Sequence, residues 1–340
     1  MTLHVFCCDM ATPDDVTAIT HTLASCRHMH TIAILVRCAG HAGPDDWSRR
    51  LARHAIMPVL ERLGLAERCV LMLSAGCEGI ATPCCFIVAE DGMTTPGGPE
   101  RATLLTGRAC MLAPDDEDAL AASLEVLVQD TLQAGTLRPD QVVVAMVRVP
   151  AGMGAPGGAH ARARRAIAAL AVGRALGDFG ACPPDLDMIR KNEGLFARRI
   201  MSFAGADQKE AELLIIGQKP EAGGNLVAAV AQLSSLTDAR ALRHMLRGAG
   251  VDFDAQGDPI APHRIALLSI KGGAAPGGRV LGAPTTLLSS SIPPDAHIRA
   301  ALSGFVGAIA QTTRFHISAD PARQAIPGGA VACCLVRTET

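Results

Sequence analysis

One pattern occurs three times along the chain, and it restricts the possible folds more than any other feature of the sequence. An apolar run ends in a cation and is followed by a turn of small residues, in TIAILVRCAG (31–40), QVVVAMVRVPAG (141–152) and RIALLSIKGGAAP (264–276). Apolar runs of this length that end at glycine or proline are typical of buried strands. The terminal cations are Arg37, Arg148 and Lys271. A pattern that recurs in this way predicts three copies of one structural unit.

The helices and strands predicted before and after each of these three strands follow the same order. A strand and a helix precede it, and it is followed by a helix that carries an arginine, a strand that ends near a serine and a final strand. The helix arginines are Arg49, Arg165 and Arg299, and the serines are Ser74, Ser202 and Ser318. The start of the third unit is ambiguous, because the apolar run Asn225–Leu233 is too short for periodicity to separate helix from strand.

The units span residues 1–98, 99–222 and 223–340, and the glycine- and proline-rich stretch at 92–99 is a candidate linker. We predict an α/β fold in which three repeats are related by a pseudo-threefold axis around a central site. Equivalent positions then converge on the axis, so the strand-end cations, the helix arginines and the serines are expected to share one cavity. A single arginine at a helix start is usually solvated, but the recurrence of all three residue types in one order favours a functional site.

Composition excludes several classes of partner. With 31 basic and 33 acidic residues the formal net charge is −2, so no basic field points to nucleic acid. Aromatic residues make up 3% of the chain and tyrosine is absent, which leaves few platforms for stacking single-stranded nucleic acid. No apolar run approaches the ~20 residues of a transmembrane helix, and the first residues do not resemble a secretory signal. We therefore expect no nucleic-acid partner and no membrane partner.

The twelve cysteines include three adjacent pairs, each within a β-like apolar run: Cys7–Cys8, Cys84–Cys85 and Cys333–Cys334. Neighbouring side chains on a strand point to opposite faces of a sheet. Such pairs therefore suit small buried hydrophobic residues better than a metal cage or a disulfide framework. Cysteines used in this way are typical of a reducing compartment, and we expect the protein to be cytoplasmic.

Several motifs resemble one known family. Leu73–Phe86, LSAGCEGIATPCCF, resembles the SGGTEG-type turn of the cyanuric acid hydrolase and barbiturase family, the ring-opening amidohydrolases. The third unit resembles the third repeat of that family at Lys271 with GGAAPGGRVLG, at Arg299 in AHIRAALSGFVGAIA and at Ser318 in SADPARQAIPGGAVA. The resemblance covers the whole chain in order. It implies three repeats that each supply a Lys–Ser pair and an arginine to a central site that hydrolyses a cyclic amide, with no organic cofactor and a homotetrameric assembly.

The implied chemistry explains these residue types. Serine attacks an amide carbonyl only if a base removes its proton, and a lysine can do so only as a neutral amine. Burial and nearby arginines would lower the lysine pKa from its usual value of ~10.4. Backbone N–H groups at the turns Ala75-Gly76 and Ala319-Asp320, together with the arginines, are expected to stabilise the oxyanion. Planar guanidinium groups also suit a flat, partly anionic ring.

The chain departs from the family pattern at two of the three lysine positions, which carry Arg37 and Arg148. Arginine stays protonated, so neither residue can act as a base. In the second unit, the sequence SFAG either shifts Ser202 by one position or puts Phe203 at the nucleophile position. Lys271 and Ser318 are therefore the predicted catalytic pair, and Ser74 and Ser202 are further candidates.

Five arginines and one lysine around one cavity predict a ligand with more negative charge than cyanurate. We expect a small cyclic imide or ureide that carries a carboxylate or an enolate. Two alternatives stay open: a lyase or isomerase on the same scaffold, in which Lys271 or Asp320 moves protons, and an anion-binding protein without catalysis. The resemblance also implies a structural Mg²⁺ or Ca²⁺ near Gln324, although Gly272–Val280 lacks the acidic residue that would support it.

Overall fold

The computed structural model describes residues 1–41, 46–92, 99–111, 116–151, 159–180, 185, 188, 192, 194–205, 210–220 and 222–338. Within these ranges the strands form three four-stranded sheets and one two-stranded ribbon. Each four-stranded sheet is built from strands of one of the three units expected from the sequence.

The first sheet contains β1 (Leu3–Asp9), β2 (Thr31–Cys38), β3 (Cys69–Ala75) and β4 (Cys84–Glu90), in the spatial order β1-β4-β2-β3. Strand β2 pairs in parallel with β3 and antiparallel with β4. Two helices belong to this unit, α1 (Thr17–Ser25) and α2 (Ser48–Arg62). Every residue of β2, β3 and β4 is buried, which explains why these strands read as continuous apolar runs rather than alternating ones.

The second sheet repeats this arrangement. It contains β5 (Arg101–Cys110), β6 (Val142–Pro150), β7 (Ile200–Gly205) and β8 (Glu210–Lys219), in the order β5-β8-β6-β7. Its helices are α3 (Glu117–Ala134) and α4 (Ala159–Ala175). The carboxylate of Asp116 caps α3 by accepting hydrogen bonds from two backbone N–H groups of the first turn.

The third sheet contains β9 (Leu226–Leu233), β10 (Ile265–Gly272), β13 (His316–Ala319) and β14 (Ala330–Arg337), in the order β9-β14-β10-β13. The ambiguous run 225–233 is a strand, because β14 pairs with it along its whole length. The unit adds helices α5 (Ala239–Gly248) and α6 (Pro294–Ala310) and a short ribbon of β11 (Arg279–Val280) and β12 (Ala283–Pro284).

The same strand order therefore recurs three times, and the predicted α/β fold of repeats is confirmed. One hydrophobic core joins the inner faces of all three sheets, with Leu35 and Met72 from the first, Met146 and Met201 from the second and Leu267 from the third. The outer faces form separate cores with the helices of their own units. The sheets thus surround the axis and the helices lie outside them, which brings the ends of the three central strands together.

The cysteine pairs are mostly buried, as their positions predict. Cys84, Cys85, Cys333 and Cys334 are buried, whereas Cys7 is exposed on the edge strand β1. All the cysteines in the described ranges are free thiols. The predicted linker lies almost entirely outside the described residues, as does the glycine-rich loop after β6. No helix in the described part of the chain combines the length and apolar character needed to cross a membrane.

Candidate active site

A cavity of about 70 Å³ lies where the three units meet. Each unit contributes the end of its third strand, and helices α2, α4 and α6 each contribute an arginine. The lining residues are Arg49, Leu73, Ser74 and Ala75 from the first unit, Arg165, Phe203 and Ala204 from the second, and Lys271, Asp295, Arg299, Ser318, Ala319 and Asp320 from the third. Four of the residues predicted for the site do not line this cavity: Arg37, Arg148, Ser202 and Gly76.

Strand pairing identifies the equivalent positions. Arg37 lies opposite Ser74 on β2 and β3, and Lys271 lies opposite Ser318 on β10 and β13. In the second unit Arg148 lies opposite Phe203, so Phe203 and not Ser202 occupies the third serine position. The Ser202 hydroxyl instead donates to the Arg165 backbone carbonyl at 2.6 Å.

The Lys271 side chain is only 1% exposed. Its ammonium nitrogen donates to the backbone carbonyl of Ser202 and lies 4.6 Å from the centroid of the Phe203 ring. Burial, reinforced by the neighbouring Arg165 guanidinium, lowers the pKa of Lys271 to about 7. A substantial fraction of this side chain is therefore a neutral amine at neutral pH, which is the form that can accept a proton.

The two serines that line the cavity have different surroundings. The Ser74 hydroxyl accepts a hydrogen bond from Arg37 Nη1 at 2.8 Å and donates to the Ile317 carbonyl at 3.4 Å. Ser318 is partly accessible, and no side chain in the described ranges hydrogen-bonds its hydroxyl. Ser318 thus lies beside a titratable amine, whereas Ser74 is held by a cation that does not give up its proton.

The first strand-end arginine is buried behind the cavity wall. Arg37 donates to Ser74 and to the Ala75 carbonyl, and its second terminal nitrogen lies 3.5 Å from Glu78 Oε2. Burial, with a further contribution from the Arg299 charge, lowers the pKa of Arg37 to about 10, so it stays protonated at neutral pH. Arg37 therefore orders the first serine turn instead of offering its charge to a ligand.

The second strand-end arginine is also buried, and it faces a carboxylate from the adjacent strand. Arg148 Nη1 lies 3.6 Å from Glu212 Oε2 and 3.5 Å from the Leu71 carbonyl oxygen. Glu212 accepts a further hydrogen bond from the Leu71 N–H at 3.2 Å and lies 3.8 Å from Arg108. These contacts join β6 and β8 of the second unit to the open edge of β3 in the first.

Two helix arginines that line the cavity are paired with carboxylates from the serine turns. Arg299 binds Glu78 through two hydrogen bonds, of 2.7 Å from Nε and 2.5 Å from Nη2. Gly76 allows this approach, because a Cβ at that position would lie 2.7 Å from the Glu78 carboxylate and 2.8 Å from Arg299 Nε. Arg165 pairs with Asp320. The carboxylates therefore offset much of the positive charge that the arginine count predicts.

Asp320 occupies the third-unit position that corresponds to Gly76. Its φ of 57° is in the left-handed region, where glycine is favoured and aspartate is tolerated better than most residues. Asp320 contacts both Arg165 of the cavity and the exposed Arg162 at 3.3 Å. The turn thus accepts a less favourable backbone conformation while its carboxylate joins the third unit to the second.

Sequence reasoning did not identify Asp295, Glu78 or Glu212 as parts of this network. Asp295 lines the cavity, where partial loss of hydration together with the Asp320 carboxylate raises its pKa. The available signal was its spacing, because Asp295 precedes Arg299 by four residues on α6 and so shares a helix face with it. Glu78 is the acidic residue of the SGGTEG-type turn, but nothing in that motif indicates Arg299 as its partner. Glu212 approaches Arg148 from another strand, and no local pattern marks it.

The expected oxyanion donors are only partly available. The Gly76 N–H donates to the Cys38 carbonyl at 3.1 Å, so it is already engaged. The turns at Ala75 and at Ala319-Asp320 do line the cavity. These turns remain candidates for binding negative charge that develops on a substrate carbonyl.

The side chains around Gln324 do not fit a Mg²⁺ or Ca²⁺ site. Gln324 Oε1 accepts the Ser202 N–H at 2.8 Å, and Gln324 Nε2 donates to the Ala322 carbonyl at 3.0 Å. Both ions prefer several oxygen ligands, with carboxylates prominent among them. Among the residues that the structure describes, no three His, Cys, Asp or Glu side chains gather in a way that could hold a metal. Gln324 acts here as a link between the second and third units.

Comparisons with known proteins agree with the repeat arrangement. Two solved structures, a cyanuric acid hydrolase and a cyanuric acid hydrolase from A. caulinodans, share the fold with TM-scores of 0.85 and 0.84, both at 20% identity and with 99% of each chain covered. A cyclic amide hydrolase of Azorhizobium caulinodans is 26% identical, with 96% of this chain and 97% of the relative covered. A cyanuric acid amidohydrolase of Methylobacterium sp. is 27% identical, with 96% of this chain and 95% of the relative covered. Barbiturase 2 of Nocardioides sp. is 24% identical, with 91% of this chain and 90% of the relative covered.

The family model described as amidohydrolase ring-opening protein matches residues 4–152 and 155–337. This match spans all three sheets and every described residue that lines the cavity. The resemblance inferred from the serine turns and the third unit is thereby confirmed, and this chain belongs to the family of ring-opening amidohydrolases.

Proposed function

We propose that this protein opens a small cyclic amide by hydrolysis, with Ser318 as nucleophile and Lys271 as general base. One observation carries the assignment: a buried lysine that titrates near neutral pH lies opposite a serine on the paired strand, in a cavity shared by all three units. The family match and relatives named cyclic amide hydrolase, cyanuric acid amidohydrolase and barbiturase support the same reaction type.

The neutral amine of Lys271 can carry the protons of each reaction step. Lys271 accepts the Ser318 hydroxyl proton as the serine oxygen attacks a ring carbonyl, and the backbone N–H groups of the Ala319-Asp320 turn bind the developing oxyanion. The ammonium of Lys271 then protonates the leaving ring nitrogen, which opens the ring and leaves an acyl-enzyme. Lys271 next takes a proton from water as the water oxygen attacks the ester carbonyl, and it returns that proton to the Ser318 oxygen when the acyl C–O bond breaks, which restores the neutral amine and the serine hydroxyl.

Before the first step, the Lys271 amine must turn from the Ser202 carbonyl towards Ser318. Its contact with that carbonyl and with the Phe203 ring is the arrangement without substrate. Hydrogen bonds between catalytic groups are often absent or long until the substrate binds. The flexible lysine stem makes this rotation possible, because the two residues lie on neighbouring strands at the same register position.

The charge around the cavity supports a substrate that is neutral or singly ionised. The expectation of a more anionic ligand depended on Arg37 and Arg148, which do not line the cavity. Glu78 and Asp320 also pair with two of the lining arginines. We therefore propose an imide or ureide ring, similar in size to cyanuric or barbituric acid, without an added carboxylate.

The pH dependence of the reaction should follow the titration of Lys271. The neutral amine is the active form, so kcat/KM should rise with pH, with a midpoint at about 7, and level off above it. Below the midpoint, each pH unit should lower kcat/KM about tenfold, because the neutral fraction falls in that proportion. Steady-state assays from pH 5 to pH 9 test this profile. A rate that falls as pH rises through 7 would contradict the role of Lys271 as a base.

The two cavity serines should respond differently to substitution. Ser318→Ala should lower kcat/KM by at least about 10³-fold, because it removes the group that forms the acyl-enzyme. Ser74→Ala should cost no more than about tenfold, since Arg37 holds this hydroxyl and cannot accept its proton. Purified variants assayed in parallel provide matched controls for each other. The opposite order of losses would move the nucleophile to the first unit.

Product mass separates hydrolysis from an isomerase or lyase reaction. Hydrolysis adds one water to the substrate, whereas isomerisation leaves its mass unchanged. Mass spectrometry of reactions with several cyclic imides therefore tests the proposed class directly. The pairing of Asp320 with Arg165 and Arg162 favours hydrolysis over the alternative in which Asp320 moves protons, because both carboxylate oxygens already contact guanidinium groups.

A further inference from the structure

At the serine position, the central site departs from threefold symmetry in the second unit. In the first unit, Arg37 and Ser74 form a hydrogen-bonded polar pair at 2.8 Å. In the third unit, Lys271 and Ser318 lie at the same paired positions. In the second unit, Arg148 contacts Glu212 outside the cavity, and the serine position carries an aromatic ring. One third of the expected polar wall is therefore replaced by Phe203.

Phe203 is a fixed part of the wall. Its side chain is only 5% exposed, although it lines the cavity. The ring packs edge-to-face against His316, with centroids 5.7 Å apart and an interplanar angle of 68°. His316 is itself held by the Ser269 hydroxyl at 2.8 Å, and burial lowers its pKa to about 3, so it is uncharged at neutral pH. These contacts fix the side of the Phe203 ring that packs against His316.

Among the residues of the second unit that the structure describes, little else can replace the missing polar group. Besides Phe203, the described lining residues of this unit are Ala204 and Arg165. Ala204 has no polar side-chain atom, and the Arg165 guanidinium pairs with Asp320 of the third unit. The Ser202 hydroxyl donates to a backbone carbonyl and does not line the cavity. The side of the cavity formed by Phe203 and Ala204 is consequently apolar.

A ring with carbonyl and N–H groups on all its edges would present one polar edge to this apolar side. A buried polar group without a hydrogen-bond partner loses its interaction with water and gains nothing in return. A ring with a hydrocarbon edge avoids that loss and gains apolar contact with the phenyl group.

We propose that the site selects cyclic imides with one hydrocarbon edge over rings that are polar on every edge, and that Phe203 determines this selection. The inference assumes the proposed ring-opening function and specifies the substrate class for it. The reacting imide unit faces the polar groups of the first and third units, and the hydrocarbon edge faces Phe203.

Two six-membered rings provide the direct test. In dihydrouracil a CH₂–CH₂ unit replaces one CO–NH unit of cyanuric acid, which makes one edge of the ring apolar. The saturated edge also puckers the ring and makes it less acidic, so the change in the ratio between Phe203 variants isolates the effect of edge polarity. We expect the wild-type protein to have at least about tenfold higher kcat/KM and tenfold tighter binding for dihydrouracil, which is the scale of a single apolar or hydrogen-bonding contact in a pocket. Kinetic assays measure the first ratio, and titration calorimetry measures the second.

Substitution of Phe203 provides the second test. Phe203→Ser restores a hydroxyl at the third serine position, and it should shift both ratios towards cyanuric acid by about tenfold or more. Phe203→Leu is the matched control, because it keeps an apolar side chain and should keep the preference for dihydrouracil. Thermal unfolding of both variants verifies that they are folded before the ratios are compared.

The outcomes separate this inference from the proposed function. If both rings are opened but cyanuric acid is preferred, the inference is wrong and the proposed function stands. If neither ring is opened, the proposed hydrolysis of such rings fails, and the binding ratio from calorimetry alone decides the inference. Equal ratios in the wild type and in Phe203→Ser, or failure of both rings to bind, overturn the role of Phe203.

Discussion

Replacing Lys271 with methionine should lower kcat/KM for ring opening by about 10²- to 10⁴-fold, the range that a general base contributes. Methionine retains the apolar stem in a position that is 1% exposed, so the cavity wall should keep its shape. Only the amine is lost, and none of the other described side chains that line the cavity is an amine or an imidazole that could replace it as the base. Steady-state kinetics above pH 8, where the wild-type amine is neutral, give the largest contrast.

Lys271→Arg is the matched control, because arginine keeps a cation on a long stem but cannot act as a base. It should be as inactive as Lys271→Met. If Lys271→Arg keeps near wild-type activity, the residue binds or orients the substrate and the base is elsewhere.

Lys271→Met should also change how the stability of the fold depends on pH. The pKa of Lys271 falls from 10.5 to about 7 on folding, so between these values the unfolded chain binds more protons than the folded one. Stability of the wild type should therefore rise with pH across this window, and the destabilisation should be complete below pH 7. Lys271→Met should lack this contribution, so its advantage in thermal stability over the wild type should be larger at pH 6 than at pH 10.

Replacing Glu212 with glutamine should lower the free energy of unfolding by about 3 kcal/mol, the scale for breaking a buried ion pair. Three donors meet at this carboxylate: the Arg148 guanidinium, the Leu71 N–H and, at 3.8 Å, Arg108. Arg108 has partial access to solvent, but Arg148 is buried and cannot recover hydration. Typical proteins are stable by only about 5–15 kcal/mol, so urea denaturation should detect the loss easily.

The double variant Arg148→Met with Glu212→Gln is the control for this prediction. It removes both members of the Arg148–Glu212 contact, and the glutamine can still accept the Leu71 N–H. Replacing both members of a buried pair is often close to neutral, so this variant should recover most of the lost stability. If the single and double variants are equally unstable, the cost arises from packing around residue 212 and not from breaking the contact with Arg148.

The repeat and the main catalytic candidates could be predicted because they depend on local patterns. Each central strand is a continuous apolar run that ends in one cation, and this fixes where the strand meets the axis. The pairing of Lys271 with Ser318 then follows, since both are the last polar residues before a small-residue turn.

The second unit could not be resolved in the same way. A shift of one residue along a strand moves a side chain to the opposite face, so SFAG is compatible with either Ser202 or Phe203 at the axis. Only the pairing of Arg148 with Phe203 across β6 and β7 settles the choice. The same holds for the run 225–233, whose strand conformation depends on hydrogen bonds with β14, about a hundred residues later in the chain.

The carboxylates around the cavity could not be predicted from the sequence. Counting arginines predicts a strongly cationic site, but Glu78 comes from the turn after β3 and pairs with Arg299 on α6. Glu212 reaches Arg148 across two strands of one sheet. Carboxylates that reach a cation through tertiary contacts cannot be recognised from local residue spacing. The number of cationic residues in a sequence therefore does not give the electrostatic potential of the site.

The third strand of each unit leaves one sheet edge without a partner strand, and side chains of another unit close it. Glu212 and Arg148 bind the N–H and C=O of Leu71 on β3, and Gln324 and Lys271 bind those of Ser202 on β7. A single unit cut from the chain would expose these groups and invite edge-to-edge aggregation. Lys271 thus joins two units as well as lining the cavity, so the site comes into existence only when the whole chain has folded, and no isolated repeat could have carried its present chemistry.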